Sequence, residues 1–201
     1  EDFALTEYCA GHGVLVSQGH SGATYQQAVM AVAHGAMSMT HVFNGMSPFH
    51  HRDPGLVGAA FRLRDVYGEV ICDGNHSNIN SLNNYFMSKG RDYAIMISDS
   101  LMAKGCPVGS KFLFGGNEIE VYPDGSAHLT STKGLAGSTL RINRGLEILV
   151  EKAGVPFDYA INSCTLNPAR ALGVDDRKGK ICTGYDADIV VLNNDYDVVK
   201  T

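Results

Sequence analysis

A chain of 201 residues with 44% hydrophobic and 18% charged content has ample apolar material for one large domain with a core, which excludes a disordered chain. Its formal charge of −5, from 21 acidic against 16 basic residues with no Lys or Arg run, excludes the usual footprint of a nucleic-acid or anionic-membrane binder. No stretch approaches the ~20 apolar residues of a membrane span, and five scattered cysteines without a C-x-x-C pair fit a reducing compartment, so the expected location is cytoplasmic. The opening Glu1-Asp2-Phe3 has neither a Met start nor the order of a signal peptide and reads as an internal cut.

Four apolar runs of buried-strand type stop abruptly at polar residues. Val14-Leu15-Val16-Ser17 runs into Gly19-His20-Ser21, and Met37-Ser38-Met39-Thr40 into His41. Glu69-Val70-Ile71-Cys72 runs into Asp73-Gly74-Asn75-His76, and Tyr93 to Ser98 ends at Asp99. Helical spacing appears between them over Thr24 to Ala33, stopped by Gly35, and over Asn80 to Ser88, stopped by Gly90. Strand, polar loop and helix at about 26 residues per repeat is the rhythm of a parallel α/β sheet, whose barrel forms collect catalytic groups at the C-terminal strand ends. A complete eightfold barrel needs roughly 250 residues. These four repeats end near Asp99, so the expected fold is α/β, half of a (β/α)8 barrel.

From Lys111 the texture changes. Phe112-Leu113-Phe114, Gly115-Gly116-Asn117, Ile119 to Tyr122 and Pro123-Asp124-Gly125 read as one or two hairpins. A helix is expected from Ser138 to Glu151, closed by Gly154, and a short one from Asn167 as cap with Pro168 at the first helical position. A late strand is expected over Ala187 to Leu192. The resulting division is residues 1–110 for four βα units, 111–137 for a hairpin insertion and substrate loop, 138–175 for closing helices and 176–201 for terminal strands.

The strand ends carry the chemistry. Imidazole nitrogens suit zinc and comparable divalent metals, and His20 and His41 on neighbouring strands would place two of them on one ion. Read singly, each histidine is an ordinary polar strand terminus, but four polar ends in register weigh against that. Hydrolysis of a carbonyl compound with metal-activated water also needs a group that takes the proton and passes it to the leaving nitrogen, and Asp99 is placed for it, although Ser98-Asp99-Ser100 also fits helix capping. His76 fits a third ligand, a carbonyl polariser or a substrate contact, and spacing does not choose among them. Asn44-Gly45-Met46 with Arg52 offers an amide, backbone N–H groups and a guanidinium to an anion, or else forms a turn with one solvated arginine. Gly134-Leu135-Ala136-Gly137-Ser138 meets a substrate or caps a helix. His12, His34, His50, His51 and His128 read as structural or surface histidines.

Ser17 to Thr24, Thr40 to Met46, Asp73-Gly74-Asn75-His76 and Ser98-Asp99 together resemble the motifs of N-acetylglucosamine-6-phosphate deacetylases in the amidohydrolase superfamily. Gly134 to Ser138, Thr165 to Arg170, and Gly179-Lys180-Ile181 with Gly184 to Ile189 extend the likeness over nearly the whole chain, the tail being general to the superfamily. The resemblance implies a divalent metal (zinc, iron or manganese) on His20 and His41, with Asp99 as the acid/base. It further implies Asn44, Gly45, Arg52 and His76 on the sugar phosphate, and Leu135, Ala136 and Gly137 lining the sugar pocket. It also implies a homodimer whose neighbour completes the phosphate site, and a small β-sandwich that the last strands rejoin. The family's metal-ligating glutamate and a carbonyl-contacting histidine lie upstream of the first strand here, and Glu1 is too close to His20 to be that glutamate. A dihydroorotase-like cyclic amidase, or an incomplete chain that only binds sugar phosphate, are the rival readings.

Overall fold

The computed structural model describes residues 2–201; Glu1 lies outside them. Helix α1 (Ala4–Gly11) precedes an alternating series: β1 (Val16–Gln18), α2 (Tyr25–Ala33), β2 (Ala36–Met39), α3 (Gly55–Arg62), β3 (Tyr67–Ile71), α4 (Ile79–Lys89) and β4 (Ala94–Ile97). The four strands form one parallel sheet in the order β1-β2-β3-β4, so each helix is a crossover between neighbours, as the βα cadence requires. Sequence signals mark the helix starts. Thr24 caps α2 in a full capping box with Gln27, and Asn78 caps α4 through the N–H of Asn80.

Helices and strands share one core. Met39, Val70 and Met96 from the sheet pack with Ala28, Leu56, Ala59, Leu82, Phe86, Leu146 and Leu149 from the helices. Gly68 faces α4, where a Cβ would lie 1.7 Å from the Tyr85 hydroxyl oxygen. Strand alternation then turns Glu69 to the opposite face of the sheet.

After β4, strands β5 (Lys111–Phe114), β6 (Asn117–Val121) and β7 (Ala127–Leu129) form an antiparallel meander with its own small core of Ala103, Ile119, Val121 and Ala136. Helix α5 (Ile142–Glu147) continues as a π-helical turn over Ile148–Lys152, closed by Ala153 N–H on the Ile148 carbonyl. Helices α6 (Phe157–Cys164) and α7 (Leu166–Ala171) follow, then a terminal hairpin of β8 (Val191–Leu192) and β9 (Val198–Lys200). That hairpin is latched to α5. The Asn143 amide donates to the Tyr196 carbonyl at 2.8 Å, Arg144 donates to the Asp195 carbonyl at 2.8 Å, and Arg144 pairs with Asp197.

Several expectations are corrected. The helix expected from Ser138 starts only at Ile142, because Ser138 to Leu140 is used as an extended tether to the end of β4. Asn167 does not cap α7, which begins at Leu166. Its buried amide instead donates to the Arg91 and Ala94 carbonyls at 2.9 and 2.8 Å, fastening α7 to β4. The late strand shrinks to Val191–Leu192, and α1, α3, α6 and β9 add to the expected elements.

Lys89 is buried at the end of α4, its ammonium donating to the Leu63 carbonyl at 2.7 Å and to the Val66 carbonyl. Burial pulls its pKa down to about 8 from the ordinary 10.5. Between those values the unfolded chain binds more protons than the folded one, so this residue's contribution to stability rises with pH across that window. Relative to Lys89→Met, which cannot titrate, the wild type is expected to gain about 2–3 kcal/mol between pH 8 and 10. Urea unfolding of both proteins at the two pH values checks this; parallel profiles remove the assignment.

Candidate active site at the strand ends

His20, His41, His76 and Asp99 stand at or just past the C-terminal ends of β1, β2, β3 and β4. Parallel pairing continues beyond the strands: Thr40 N–H donates to the Gln18 carbonyl at 2.8 Å and Val42 N–H to the Glu69 carbonyl at 2.7 Å. Ser17 and Thr40 hydroxyls share a 2.7 Å hydrogen bond across the same gap. Gly19 permits the approach, since a Cβ there would meet Thr40 Cβ at 2.5 Å. The imidazoles of His20 and His41 consequently lie edge to face with centroids 5.4 Å apart.

His20, His41 and Asp99 all hold a left-handed backbone, with φ of 46°, 32° and 48°. Such conformations cost free energy outside glycine and persist where surrounding structure over-determines them, commonly at functional sites. The restraints are visible. The loop after His41 is pinned to the loop after His20 by Ser47, whose N–H reaches the Ser21 carbonyl at 3.2 Å and whose hydroxyl donates to the Ala23 carbonyl at 2.6 Å. Gly45 then lies against the His20 ring, a Cβ there falling 2.8 Å from its Cδ2.

Asp99 is held from the other side. Its carbonyl accepts the Ser138 N–H at 2.7 Å, the Ser138 hydroxyl donates to the Ser98 carbonyl, and the Ser100 hydroxyl donates to the Leu140 carbonyl at 3.0 Å. A Cβ on Gly137 would lie 3.1 Å from the Asp99 carbonyl oxygen. Leu135 forms a β-bridge with His128 of β7, and the Ala136 N–H donates to the Ala127 carbonyl at 3.0 Å. The segment Leu135-Ala136-Gly137 thereby links the meander to the Asp99 strand end.

The other expected site residues divide. His76 is part-buried and its Nδ1 lies 2.6 Å from Asp73 Oδ2. Asn44 turns its amide toward the His41 and Val42 carbonyls at 3.5 and 3.4 Å. Arg52 is exposed at the tip of the same loop, its guanidinium 2.8 Å from His51 Nε2. The structure thus brings together His20, His41 and Gly45, and separately Asp99 with Gly137, but leaves Arg52 facing outward. His34 pairs with Glu7, and His128 lies 2.8 Å from both the Ser126 hydroxyl and the Lys133 carbonyl, in keeping with structural roles.

Two acidic residues, Glu69 and Asp73, join the expected set at the strand ends. Burial pushes the Glu69 carboxyl upward, with His41 opposing and Asp99 reinforcing, so this strand carboxylate feels both site residues. Its signal was a lone acid within an apolar strand. For Asp73, burial alone would raise the pKa, but hydrogen bonds from the His76 ring and backbone and from the Asn75 N–H outweigh it and hold the carboxyl below its ordinary value. Its signal was the Asp-x-x-His spacing.

Two convergent imidazoles on a rigid rim suit a divalent metal, and His41 Nδ1 is buried without a hydrogen-bond partner among the described residues. No third His, Cys, Asp or Glu joins them in a metal-holding group among those residues. The pair fits part of a metal centre, not a complete one.

A profile of the amidohydrolase family matches residues 8–201. The chain belongs to the amidohydrolase family. It is 36% identical over 201 residues to the N-acetylglucosamine-6-phosphate deacetylase of Bacillus subtilis, covering 100% of this chain and 50% of that protein. It is 36% identical over 181 residues to the N-acetylgalactosamine-6-phosphate deacetylase of Escherichia coli O157:H7, covering 90% of this chain and 47% of that protein. An aspartate-to-alanine variant of the Mycobacterium smegmatis N-acetyl-D-glucosamine-6-phosphate deacetylase, solved with N-acetyl-D-glucosamine-6-phosphate, superposes with a TM-score of 0.91 at 32% identity over 98% of this chain and 51% of that one. The resemblance read from the motifs is borne out, and the chain spans about half the length of these relatives.

Proposed function

We propose that this chain forms the carboxy-terminal half of a metal-dependent deacetylase that hydrolyses the acetamide of N-acetylglucosamine 6-phosphate to acetate and glucosamine 6-phosphate. The observation that carries the reading is the shared rim on which His20, His41 and Asp99 adopt the same strained backbone. The sequence relatives support the substrate class.

In this reading the four-stranded sheet is half of a (β/α)8 barrel whose other strands, with the remaining metal ligand, come from the half of the relatives that this chain does not span. Residues 1–110 supply the barrel units, 111–137 the meander and substrate loop, 138–175 the closing helices and 176–201 strands of a small β-sandwich. His20 and His41 hold a divalent zinc, iron or manganese ion. When bound, the ion polarises the amide carbonyl and favours ionisation of water. Asp99 accepts the proton of the attacking water and returns it to the departing amine. Leu135, Ala136 and Gly137 shape the sugar pocket beside Asp99, Gly45 keeps the His20 ring in place, and Asn44 holds the turn that presents Gly45. His76 meets the sugar phosphate from within the same subunit. Arg52, exposed at the tip of its loop, reaches a phosphate bound by a neighbouring copy in a cytoplasmic homodimer.

The test is substrate use by the complete protein. Acetate release from N-acetylglucosamine 6-phosphate, with little from a cyclic amide such as dihydroorotate, is the expected result; the reverse preference overturns the reading. The 36% identity to an N-acetylgalactosamine-6-phosphate enzyme keeps the C4 epimer as a second substrate, which the same assay ranks. Arg52→Ala is expected to raise KM for the phosphorylated sugar about tenfold or more and to shrink its advantage over free N-acetylglucosamine. An unchanged ratio removes Arg52 from the phosphate site.

A further inference from the structure

The loop after β3 contains a built dyad of Asp73 and His76. Asp73 Oδ1 accepts the N–H groups of Asn75 and His76, both at 2.9 Å, while Oδ2 lies 2.6 Å from His76 Nδ1. The two side chains are 10% and 7% exposed. Three hydrogen bonds thus lock the carboxylate, and the carboxylate locks the ring. No described residue bonds His76 Nε2, and that atom is not among the fully buried polar atoms that lack a partner.

Resting on the deacetylase reading, we propose that Asp73 is a positioning residue that fixes His76 with Nδ1–H toward the carboxylate and stabilises it as an imidazolium, which then donates from Nε2 to a phosphate oxygen of the substrate. The physical logic is that a desolvated carboxylate accepts the ring proton and compensates the added positive charge at short range, where solvent screens poorly. A phosphate on the far side of the ring completes a carboxylate, imidazolium, oxyanion chain of alternating charge.

A cleft of about 510 Å³ borders Asp73 and Asn75 and is otherwise lined by Asp124, Arg141 and Arg144 among its charged groups. Asp124 is committed to the N–H and hydroxyl of Ser126, and Arg144 to Glu147 and Asp197. The Asp73 carboxylate is the one hydrogen-bonded to the ring.

The experiment is nitrogen-15 NMR of the His76 ring in the complete protein, free and saturated with glucosamine 6-phosphate, alongside kinetics of Asp73→Asn. An asparagine keeps an oxygen for the two backbone N–H groups but offers an N–H to Nδ1, which turns the ring to its other tautomer and withdraws the negative charge. The proposal expects both ring nitrogens protonated in the wild type with ligand at pH 7. For Asp73→Asn it expects KM for the phosphorylated sugar to rise roughly 10–100-fold with kcat little changed, the size of one charge-assisted hydrogen bond. A neutral ring in the saturated wild type, or an unchanged KM in the variant, overturns it. The wild-type spectrum decides the point even if the variant folds poorly. Because the ring's protonation is read without turnover, a failure of the deacetylase reading shows separately, as absent acetate release by the wild type.

Discussion

Asp99→Asn in the complete protein is expected to lower acetate release from N-acetylglucosamine 6-phosphate by about 10² to 10⁴-fold, the contribution of a general acid–base group. The substitution isolates that role because it leaves the supports of position 99 intact. The backbone there has φ of 48°, a conformation that Asn tolerates as readily as Asp. Its anchors are main-chain: the carbonyl accepts from Ser138, and Ser138 is fixed in turn to Ser98. His20 and His41 are held by the Gly19, Gly45 and Ser47 contacts on the other side of the rim, so metal content should stay near the wild-type level. Elemental analysis beside a kcat measurement separates the two effects. Turnover near the wild-type rate would remove Asp99 from the proton role, and loss of metal together with activity would make it a structural support instead.

The second large effect concerns the scaffold beneath the site. Gly68→Ala is expected to destabilise the protein by about 3 kcal/mol or more, at or beyond the upper end for overpacking a core. The added methyl would fall 1.7 Å from the Tyr85 hydroxyl oxygen, whereas the ring carbon bearing that oxygen is 3.0 Å away. Tyr85 cannot step aside easily, being fully buried with its ring against Phe43 and Phe61 at centroid distances of 5.8 and 5.5 Å. Its hydroxyl has no hydrogen-bond partner among the described residues, and burial pushes its pKa well upward, so it stays a neutral, unsatisfied group. Tyr85→Phe alone should therefore be neutral or stabilising by up to about 1 kcal/mol. In the Tyr85→Phe background, Gly68→Ala should lose part of its cost, because the nearest atoms become the ring carbon at 3.0 Å and Lys89 Cε at 3.2 Å. Chemical denaturation of the four proteins in this cycle gives the coupling directly. Equal costs in both backgrounds would show that another contact explains the glycine.

Legibility in the sequence followed the range of the forces involved. The strand cadence was readable because an apolar run ending in Gly19-His20, Thr40-His41 or Ser98-Asp99 reports local burial and its abrupt end. Helices with polar caps, α2 behind Thr24 and α4 behind Asn78, lie near their expected places, whereas α3 behind Pro54 and α6 behind Pro156 have no side-chain cap bond to mark their starts. The Ser138 helix starts late for a non-local reason: Ser138 and Leu140 are hydrogen-bonded to Ser98 and Ser100, just past β4 and 40 residues away in the chain. Asn167 looked like a cap because Asn-Pro is good local capping chemistry, yet two carbonyls beside β4 claimed its amide.

By itself, then, the sequence determined the residue types at the strand ends, the parallel α/β rhythm and, through its motifs, the family. Only the tertiary structure decided which of those residues meet. It closed His20 on His41 through the space left by Gly19, tied Asp99 to the Gly137 loop, joined His76 to Asp73 and turned Arg52 outward. The physical reason is that burial and chain propensity act over a few residues, whereas backbone strain, partnered carboxylates and imidazole contacts arise when segments distant in sequence are packed against each other.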